Sequence, residues 1–539
     1  MYSSREKNLQ SIFSNCRRIL GNQTWGRILE ALGNNIEPLL FPDKLSSVEK
    51  SLGLPEFIVD IARIDWALHK ITRINAHFQP DMDILSVNPL LTLLPVSHKN
   101  LASILDKEPS EEKKPIIPSE NILILIWRHP KNDRLHIREA GDTDLLALKI
   151  VIEQIEIRDA AAAGGATMGF IDSVLKKAIS QGIILSPKSL IHRGNALSPH
   201  GSSKLEEFRS ADTFTLQWHI TQACDLHCKH CYDRSNRAPL PFHIAVNILD
   251  DFYNFCHQMH VEGQVTFTGG NPLLYPDFLN IYRETSNRGF GTAILGNPSP
   301  IDQIKELVKI QMPSHFQISL EGLEQHNDMI RGKGHFQRSL YFLSQLRDMG
   351  IYTMVMLTLT RDNIDQVLPL ADLLRNRADF FTFNRLSTVG EGARLLMAEP
   401  GEFQSFLKEY EIESHQNPVL GLKDNLINIV RNQNGLDLFG GCTGYGCGAA
   451  FNFVALLADG EVHACRKFPS PIGNILESRL KDIYQSELAH KYRKGSTDCK
   501  DCTLNIVCRG CLAIAYSRGL DVFKNKDPFC FRSSVTKKA

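Results

Sequence analysis

Cysteine is nearly missing from the first 200 residues of this 539-residue chain, where Cys16 stands alone. Disulfides are therefore not expected to hold that part together. Charge of one sign is missing too, because 60 Lys and Arg balance 60 Asp and Glu. Without a basic field or an acidic tail, the sequence predicts no nucleic-acid partner. No apolar run approaches the roughly 18 residues that span a bilayer. The opening MYSSREKNLQ has no apolar segment of the kind a signal peptide needs. The expected setting is the cytoplasm, with no membrane partner. There are no internal repeats and no low-complexity tract.

What is present is an uneven set of thirteen cysteines: three lie within 224–231 and eight between 442 and 530. Clustered thiols in a reducing compartment point to metal rather than to disulfides. At about 150 residues per domain the length predicts three or four domains. Residues 1–107 read as a helical module, on the spacing of Phe57, Ile58, Ile61, Ile64, Ala67 and Leu68. KEPSEEKKPIIPSE (107–120) reads as a linker. Residues 108–188 then hold strand candidates at 122–127, 135–138 and IILS, with helix candidates at 144–155 and 168–182. That order suits a winged-helix-like module, or equally an α+β spacer. Residues 189–212 read as a second linker.

From 213 to 400 apolar strands alternate with amphipathic helices. The strands are expected at 215–220, 264–270, 290–296, 315–322, 352–359 and 379–386, with helices such as 241–258 and 336–350 between them. Six β/α alternations imply an α/β fold with a parallel sheet, closed by right-handed crossovers into a barrel or partial barrel. Chemistry in such a fold sits on the loops after the strand C-termini. Residues 401–436 read as a helical connector, and 437–539 form a cysteine-rich region.

The first strand of the barrel is followed by Cys224-Asp-Leu-His-Cys228-Lys-His-Cys231. Three thiolates on one short loop can hold three irons of a cubane cluster and leave the fourth iron open. An open coordination position marks a catalytic site rather than a structural one. The alternative is a zinc knuckle with His227 or His230 as fourth ligand. The placement, a strand before the motif and further β/α units after it, favours the cluster. Here the sequence resembles the radical S-adenosylmethionine (SAM) superfamily, whose fold is a partial (β/α)6 barrel and whose aromatic position before the third cysteine is filled by His230.

The resemblance implies further SAM contacts. Gly269-Gly270-Asn271-Pro272 matches the family's Gly-Gly-Glu-Pro loop, with Asn271 in place of the acid that meets the SAM amino group. The Asn271 amide oxygen can still accept a hydrogen bond, without the charge that strengthens it. Ser319, in Ser-Leu-Glu-Gly, is an expected SAM contact. His326, Asp328 and Arg331 follow in HNDMIRGKG. Arg331 is read either as a partner for a SAM or substrate carboxylate or as a solvated loop charge. Gly390 and Gly392 are read as giving room for SAM or peptide. The residues name no general base.

The eight later cysteines suit two further four-thiolate sites, with two structural zinc sites as the alternative. They resemble the SPASM extension of radical SAM peptide maturases, with one spacing shorter by a residue before Cys511. The resemblance implies one auxiliary [4Fe–4S] cluster on Cys442, Cys447, Cys465 and Cys511, and a second on Cys499, Cys502, Cys508 and Cys530. Three [4Fe–4S] clusters and SAM are the implied cofactors. Cys16 and Cys256 remain, and Cys256 is read as core packing.

The SPASM family acts largely on peptides. Sulfatase maturases carry an Asp after the cysteine matching Cys465; here that residue is Arg466, which speaks against formylglycine formation. The N-terminal layout, joined to CDLHCKHCYDRS and TGGNP, is similar to the selenobiotic-type maturases, whose N-terminal modules engage a precursor containing cysteine or selenocysteine. The alternatives are that residues 1–187 only stabilise the barrel, that the substrate is a small molecule, or that the chain is a non-catalytic iron–sulfur protein. The clusters also imply an electron donor such as flavodoxin or ferredoxin.

Overall fold

The computed structural model describes residues 4–33, 36–74, 82–105, 115–194 and 203–532. Two compact units divide the chain, Met1–Lys188 and Ser189–Ala539.

In the first unit the helices Ser14–Leu32, Phe41–Leu52 and Ile58–Arg73 bury Trp25, Ile28, Phe41, Leu45, Ile58, Ile61 and Ile64. Strands β1 (Ser86–Val87), β2 (Leu91–Lys99), β3 (Ile117–Arg128), β4 (Leu135–Glu139) and β5 (Ile184–Leu185) follow. The sheet order is β2-β3-β4, antiparallel, with β1 and β5 as a separate short ribbon. The run ILILIW is apolar throughout because β3 is covered on both faces. Ile124 and Ile126 pack with the helices before the sheet, and Leu125 and Trp127 pack with the helices Asp142–Glu153 and Met168–Ser180.

The helical reading of 1–107 therefore ends too late. Residues 91–99 form an edge strand, where Pro95 is tolerated because its missing N–H would face away from the ladder. Of the charged stretch 107–120, residues 107–114 lie outside the described residues, and Ile117 already opens β3.

The second unit is built on nine strands: β6 (Thr213–Thr221), β7 (Glu262–Gly269), β8 (Gly291–Leu295), β9 (Phe316–Ser319), β10 (Thr353–Leu359), β11 (Phe380–Arg385), β12 (Phe453–Leu456), β13 (Glu461–His463) and β14 (Pro471–Asn474). Their order is β11-β10-β9-β8-β7-β6-β12-β13-β14. Strands β6 to β11 are parallel neighbours in chain order, the partial (β/α)6 barrel expected from the sequence. On β6, Phe214, Leu216, Trp218 and Ile220 pack outward on the crossover helices; Phe214 meets the Phe255 ring at 4.7 Å. Thr215, Gln217, His219 and Thr221 take the opposite face by the two-residue period.

Two of the expected boundaries are structurally continuous. Strand β12 joins β6 in parallel, so the cysteine-rich region extends the barrel sheet. In the stretch read as a linker, Ile191 and Ala211 are buried in the barrel core and the Leu190 N–H donates to Met259 O at 3.0 Å; residues 195–202 lie outside the described residues. Its Ser- and Pro-rich composition concealed that anchoring. Among the described residues no helix is long and apolar enough to cross a membrane.

Candidate functional site

The loop that leaves β6 carries Cys224, Cys228 and Cys231, and its backbone is tied on three sides. The Gly270 N–H donates to Thr221 O at 2.8 Å and the Asn271 N–H to Ala223 O at 2.7 Å. The Lys229 N–H donates to Ile330 O at 3.0 Å and the Glu391 N–H to Cys231 O at 2.8 Å. A Cβ on Gly269 or Gly270 would stand 2.2 Å from the carbonyl oxygens of Thr221 and Ala223, so both positions require glycine. A Cβ on Gly390 would meet Tyr232 O at 2.4 Å. Gly390 and Gly392 thus make room for the backbone of the cysteine loop, a different use from the one the sequence suggested.

The thiols are held by side chains from the loop after β8 and from the end of the helix Glu324–Arg331. Asn297 Nδ2 donates to Cys224 Sγ at 3.6 Å and Arg331 Nη1 to Cys228 Sγ at 3.7 Å. Burial pushes the Cys224 thiol up, and does the same at Cys228 despite the opposing charge of Arg331. Each of these thiols also feels Cys231.

Arg331 is buried rather than solvated. Its guanidinium donates twice to Glu321 Oε1, at 2.9 and 2.6 Å, while Glu321 Oε2 accepts the Thr358 N–H at 2.8 Å. The internal carboxylate is the partner that the sequence had sought in SAM or substrate. His230 turns Nε2 toward Glu321 and Arg331, at 3.4 Å from each, and burial holds it below the usual imidazole range. The rest of HNDMIRGKG is a helix junction. Asp328 accepts the N–H groups of Gly334 and Phe336, and Asn327 accepts that of Glu321 at 3.1 Å.

Asn271 is 2% exposed and its amide is committed. Oδ1 accepts the Leu273 N–H at 3.4 Å, and Nδ2 donates to Asp225 Oδ1 at 3.2 Å and to Ser299 at 3.4 Å. Pro272 starts the short turn that follows. The same Asp225 oxygen accepts Asn297 Nδ2 at 2.7 Å. An exposed carboxylate, oriented by two amides, therefore sits beside Cys224. Ser319 ends β9 on the face opposite buried Phe316 and Ile318. Sequence reasoning missed Asp225, Asn297 and Glu321. The acid lost at 271 and present at 225 was the one signal in the chain that pointed to the first of them.

The eight later cysteines form two groups. The Cys447 thiol is in electrostatic reach of Cys511 and Cys442, and Cys465 of Cys447 and Cys511. Cys499, Cys502, Cys508 and Cys530 line a single cavity. Burial pushes Cys447 up to about 11, Cys465 to about 12 and Cys499 to about 11. Asn425 fixes the first group by accepting the Cys442 N–H at 2.7 Å and donating to Gly510 O at 2.6 Å. Asp527 joins the two groups, accepting the Cys511 N–H at 2.9 Å and taking Arg385 in a bidentate pair at 3.0 and 2.7 Å.

Arg466, next to Cys465, reaches back to the first loop. It donates to Asp233 Oδ2 at 2.5 Å and lies over the Tyr232 ring at 4.0 Å. Cys16 and Cys256 are both buried in apolar cores.

The donor chemistry suits iron–sulfur clusters. Eleven cysteines gather as one trio and two quartets, none in a disulfide. Buried thiols this hard to ionise become ligands only where a metal displaces their protons. Partly buried arginines beside Cys447 lack carboxylate partners among the described residues, which suits a negatively charged group there. Among the described residues no three His, Cys, Asp or Glu side chains close on one point as in a single-ion site.

Residues 218–374 match the Radical SAM superfamily, and residues 447–511 match SPASM, an iron–sulfur cluster-binding domain. The chain is 24% identical over 339 residues to the AdoMet-dependent heme synthase of Methanosarcina barkeri, spanning 58% of this chain and 95% of that protein. It is 26% identical over 356 residues to AlbA, the antilisterial bacteriocin subtilosin biosynthesis protein of Bacillus subtilis, over 63% of this chain and 75% of AlbA. Among solved structures, Streptococcus suis SuiB bound to precursor peptide SuiA aligns with a TM-score of 0.49 at 18% identity, over 76% of this chain and 96% of that one.

Proposed function

From a chain that carries a radical SAM domain and a SPASM domain, we propose a peptide maturase that acts on a ribosomally made precursor containing cysteine or selenocysteine. The observation that carries this reading is the trio Cys224, Cys228 and Cys231 on the loop after β6, one thiol short of a closed cluster site. Cys224, Cys228 and Cys231 would hold a [4Fe–4S] cluster, which when bound would supply the electron for reductive cleavage of SAM. Cys442, Cys447, Cys465 and Cys511 would hold one auxiliary cluster, and Cys499, Cys502, Cys508 and Cys530 the other. Within the first unit, 1–107 and 108–188 serve to engage the precursor, ahead of the barrel (213–400), its helical connector (401–436) and the cluster-bearing region (437–539). The electron donor is a flavodoxin or ferredoxin, and free thiols of this number suit a reducing cytoplasm.

The chain's own residues divide the task of holding SAM. Gly269 and Gly270 let the β7 end lie against the cysteine loop, and Asn271 and Pro272 shape the turn beyond it. The Asp225 carboxylate receives the SAM ammonium in place of the acid missing at 271. Ser319 offers a hydroxyl from β9, and Arg331, fixed by Glu321, donates to Cys228 Sγ. A charge-assisted hydrogen bond contributes about 1.5–3 kcal/mol. Asp225→Asn is therefore expected to weaken SAM binding at least about 10-fold in equilibrium dialysis of the reconstituted protein. Asn271→Glu in the same chain should restore it. Unchanged affinity in the single variant would remove Asp225 from the site.

The likeness to a heme synthase favours a second reading, a small-molecule substrate such as a porphyrin. Incubation with SAM, dithionite and the small Cys-rich peptides encoded beside the gene separates the two. The maturase reading expects 5′-deoxyadenosine together with a mass change on one of those peptides. Release of 5′-deoxyadenosine only with a porphyrin, every peptide staying at its original mass, would replace it by the second reading.

A further inference from the structure

Three partly buried arginines stand by the later cysteines of the second unit without a carboxylate partner among the described residues. Arg193 donates through Nη2 to Cys447 O at 2.6 Å and stacks on the Phe451 ring at 4.1 Å. Its Nε and Nη1 are buried and meet no acceptor. The charged and ionisable neighbours that face it are Arg509, Cys447 and Tyr484. Arg509 bonds Asn505 Oδ1 at 2.8 Å and Arg493 O at 3.0 Å, and its own ionisable neighbours are Cys447, Cys499 and Cys508. Arg493 bonds Tyr484 O at 2.6 Å and Ala450 O at 3.1 Å.

Carbonyls satisfy some of the N–H groups of these side chains and none of their charge. A buried cation lacking a counter-ion costs several kcal/mol. Elsewhere in the same unit buried arginines are paired: Arg331 with Glu321, and Arg385 with Asp424 and Asp527. Among the described residues, the acidic groups that act on Cys447 itself are the thiols of Cys511 and Cys442. A [4Fe–4S] centre with four thiolates carries about two negative charges when oxidised and one more when reduced.

We infer that Arg193 and Arg509 are the built-in counter-charge of the auxiliary cluster on Cys442, Cys447, Cys465 and Cys511, and that they raise its reduction potential. This rests on the cluster assignment proposed above. Fixed positive charge stabilises the reduced, more negative state over the oxidised one. Arg193 touches this quartet alone, whereas Arg509 stands between the two quartets. Neither arginine is a ligand; both are positioning residues acting through the field.

The test is a potentiometric titration of the reconstituted full-length protein, followed by low-temperature EPR, with iron counted alongside. In Arg193→Met, which keeps an apolar contact on Phe451, one of the cluster midpoints is expected to move to a more negative value while the others stay in place. Arg193→Lys should return it toward the natural value. Arg509→Met should lower the midpoints of both auxiliary clusters. If Arg193→Met instead loses about four irons while Arg193→Lys retains them, the charge is needed to hold the cluster and the inference stands. Unmoved midpoints at full iron content overturn it, as does equal loss of iron in the Met and Lys variants. If the natural protein itself fails to take up about twelve irons, the cluster assignment falls instead, a separate outcome.

Discussion

Protein with Ala at Cys224, Cys228 and Cys231 is expected to hold about eight irons per chain after anaerobic reconstitution, against about twelve for the natural sequence, and to release no 5′-deoxyadenosine from SAM. The loss should be confined to one cluster because the loop is held by its backbone. Gly270 to Thr221, Lys229 to Ile330 and Glu391 to Cys231 are main-chain bonds that three alanines leave intact. The later cysteines depend on other anchors. Asn425 holds the Cys442 N–H, and Asp527 holds that of Cys511. Thermal unfolding should therefore change little while SAM chemistry disappears. Iron staying at about twelve in the variant, or zinc in place of iron in the anaerobically prepared natural protein, would defeat the assignment.

The barrel was legible in the sequence because each of its strands is covered on its outer face by a crossover helix. Phe214, Leu216 and Trp218, like Phe316 and Ile318, give apolar signals at every second position. The cysteine trio was legible from its spacing, whereas the division of the later eight into two groups came from the resemblance to the SPASM extension, because Cys511 lies in sequence beside the other quartet. The misjudged features depend on partners distant in sequence. Arg331 was read either as a partner for a SAM or substrate carboxylate or as a solvated charge, and Glu321, ten residues earlier, pairs with it inside the protein. Asn271 looked like a weakened SAM ligand, yet its amide belongs to Asp225, 46 residues before it. The stretch 189–212 reads as a linker by composition, and the burial of Ile191 and Ala211 shows only when the Phe242–Met259 helix lies beside it. Edge strand β2 was lost because an edge carries half the apolar signal and, here, a proline.

Removing the Glu321 carboxylate should have the largest effect on stability of any single change at the site. Glu321 is 1% exposed, between Arg331, His230 and the Thr358 N–H. Glu321→Ala would leave the Arg331 guanidinium buried without an anion, which costs about 3–5 kcal/mol. Denaturant unfolding should show a loss of that size, and Cys228 should lose the ordered guanidinium beside its sulfur. Replacing both partners by apolar residues, Glu321→Leu with Arg331→Met, should cost much less than Glu321→Ala, since no charge then stays buried. Acid titration gives an independent check. Burial pushes the Glu321 carboxyl up, but the His230 and Arg331 charges and the Thr358 N–H outweigh it and hold the group below its ordinary value of 4.5. The unfolded chain therefore takes up the proton first. The stabilisation is complete above that value and is lost as pH falls below it through the lower folded value. Glu321→Gln should flatten that part of the stability–pH curve. A cost for Glu321→Ala under about 1 kcal/mol, or an unchanged acid slope in Glu321→Gln, would mean that Arg331 finds its anion elsewhere.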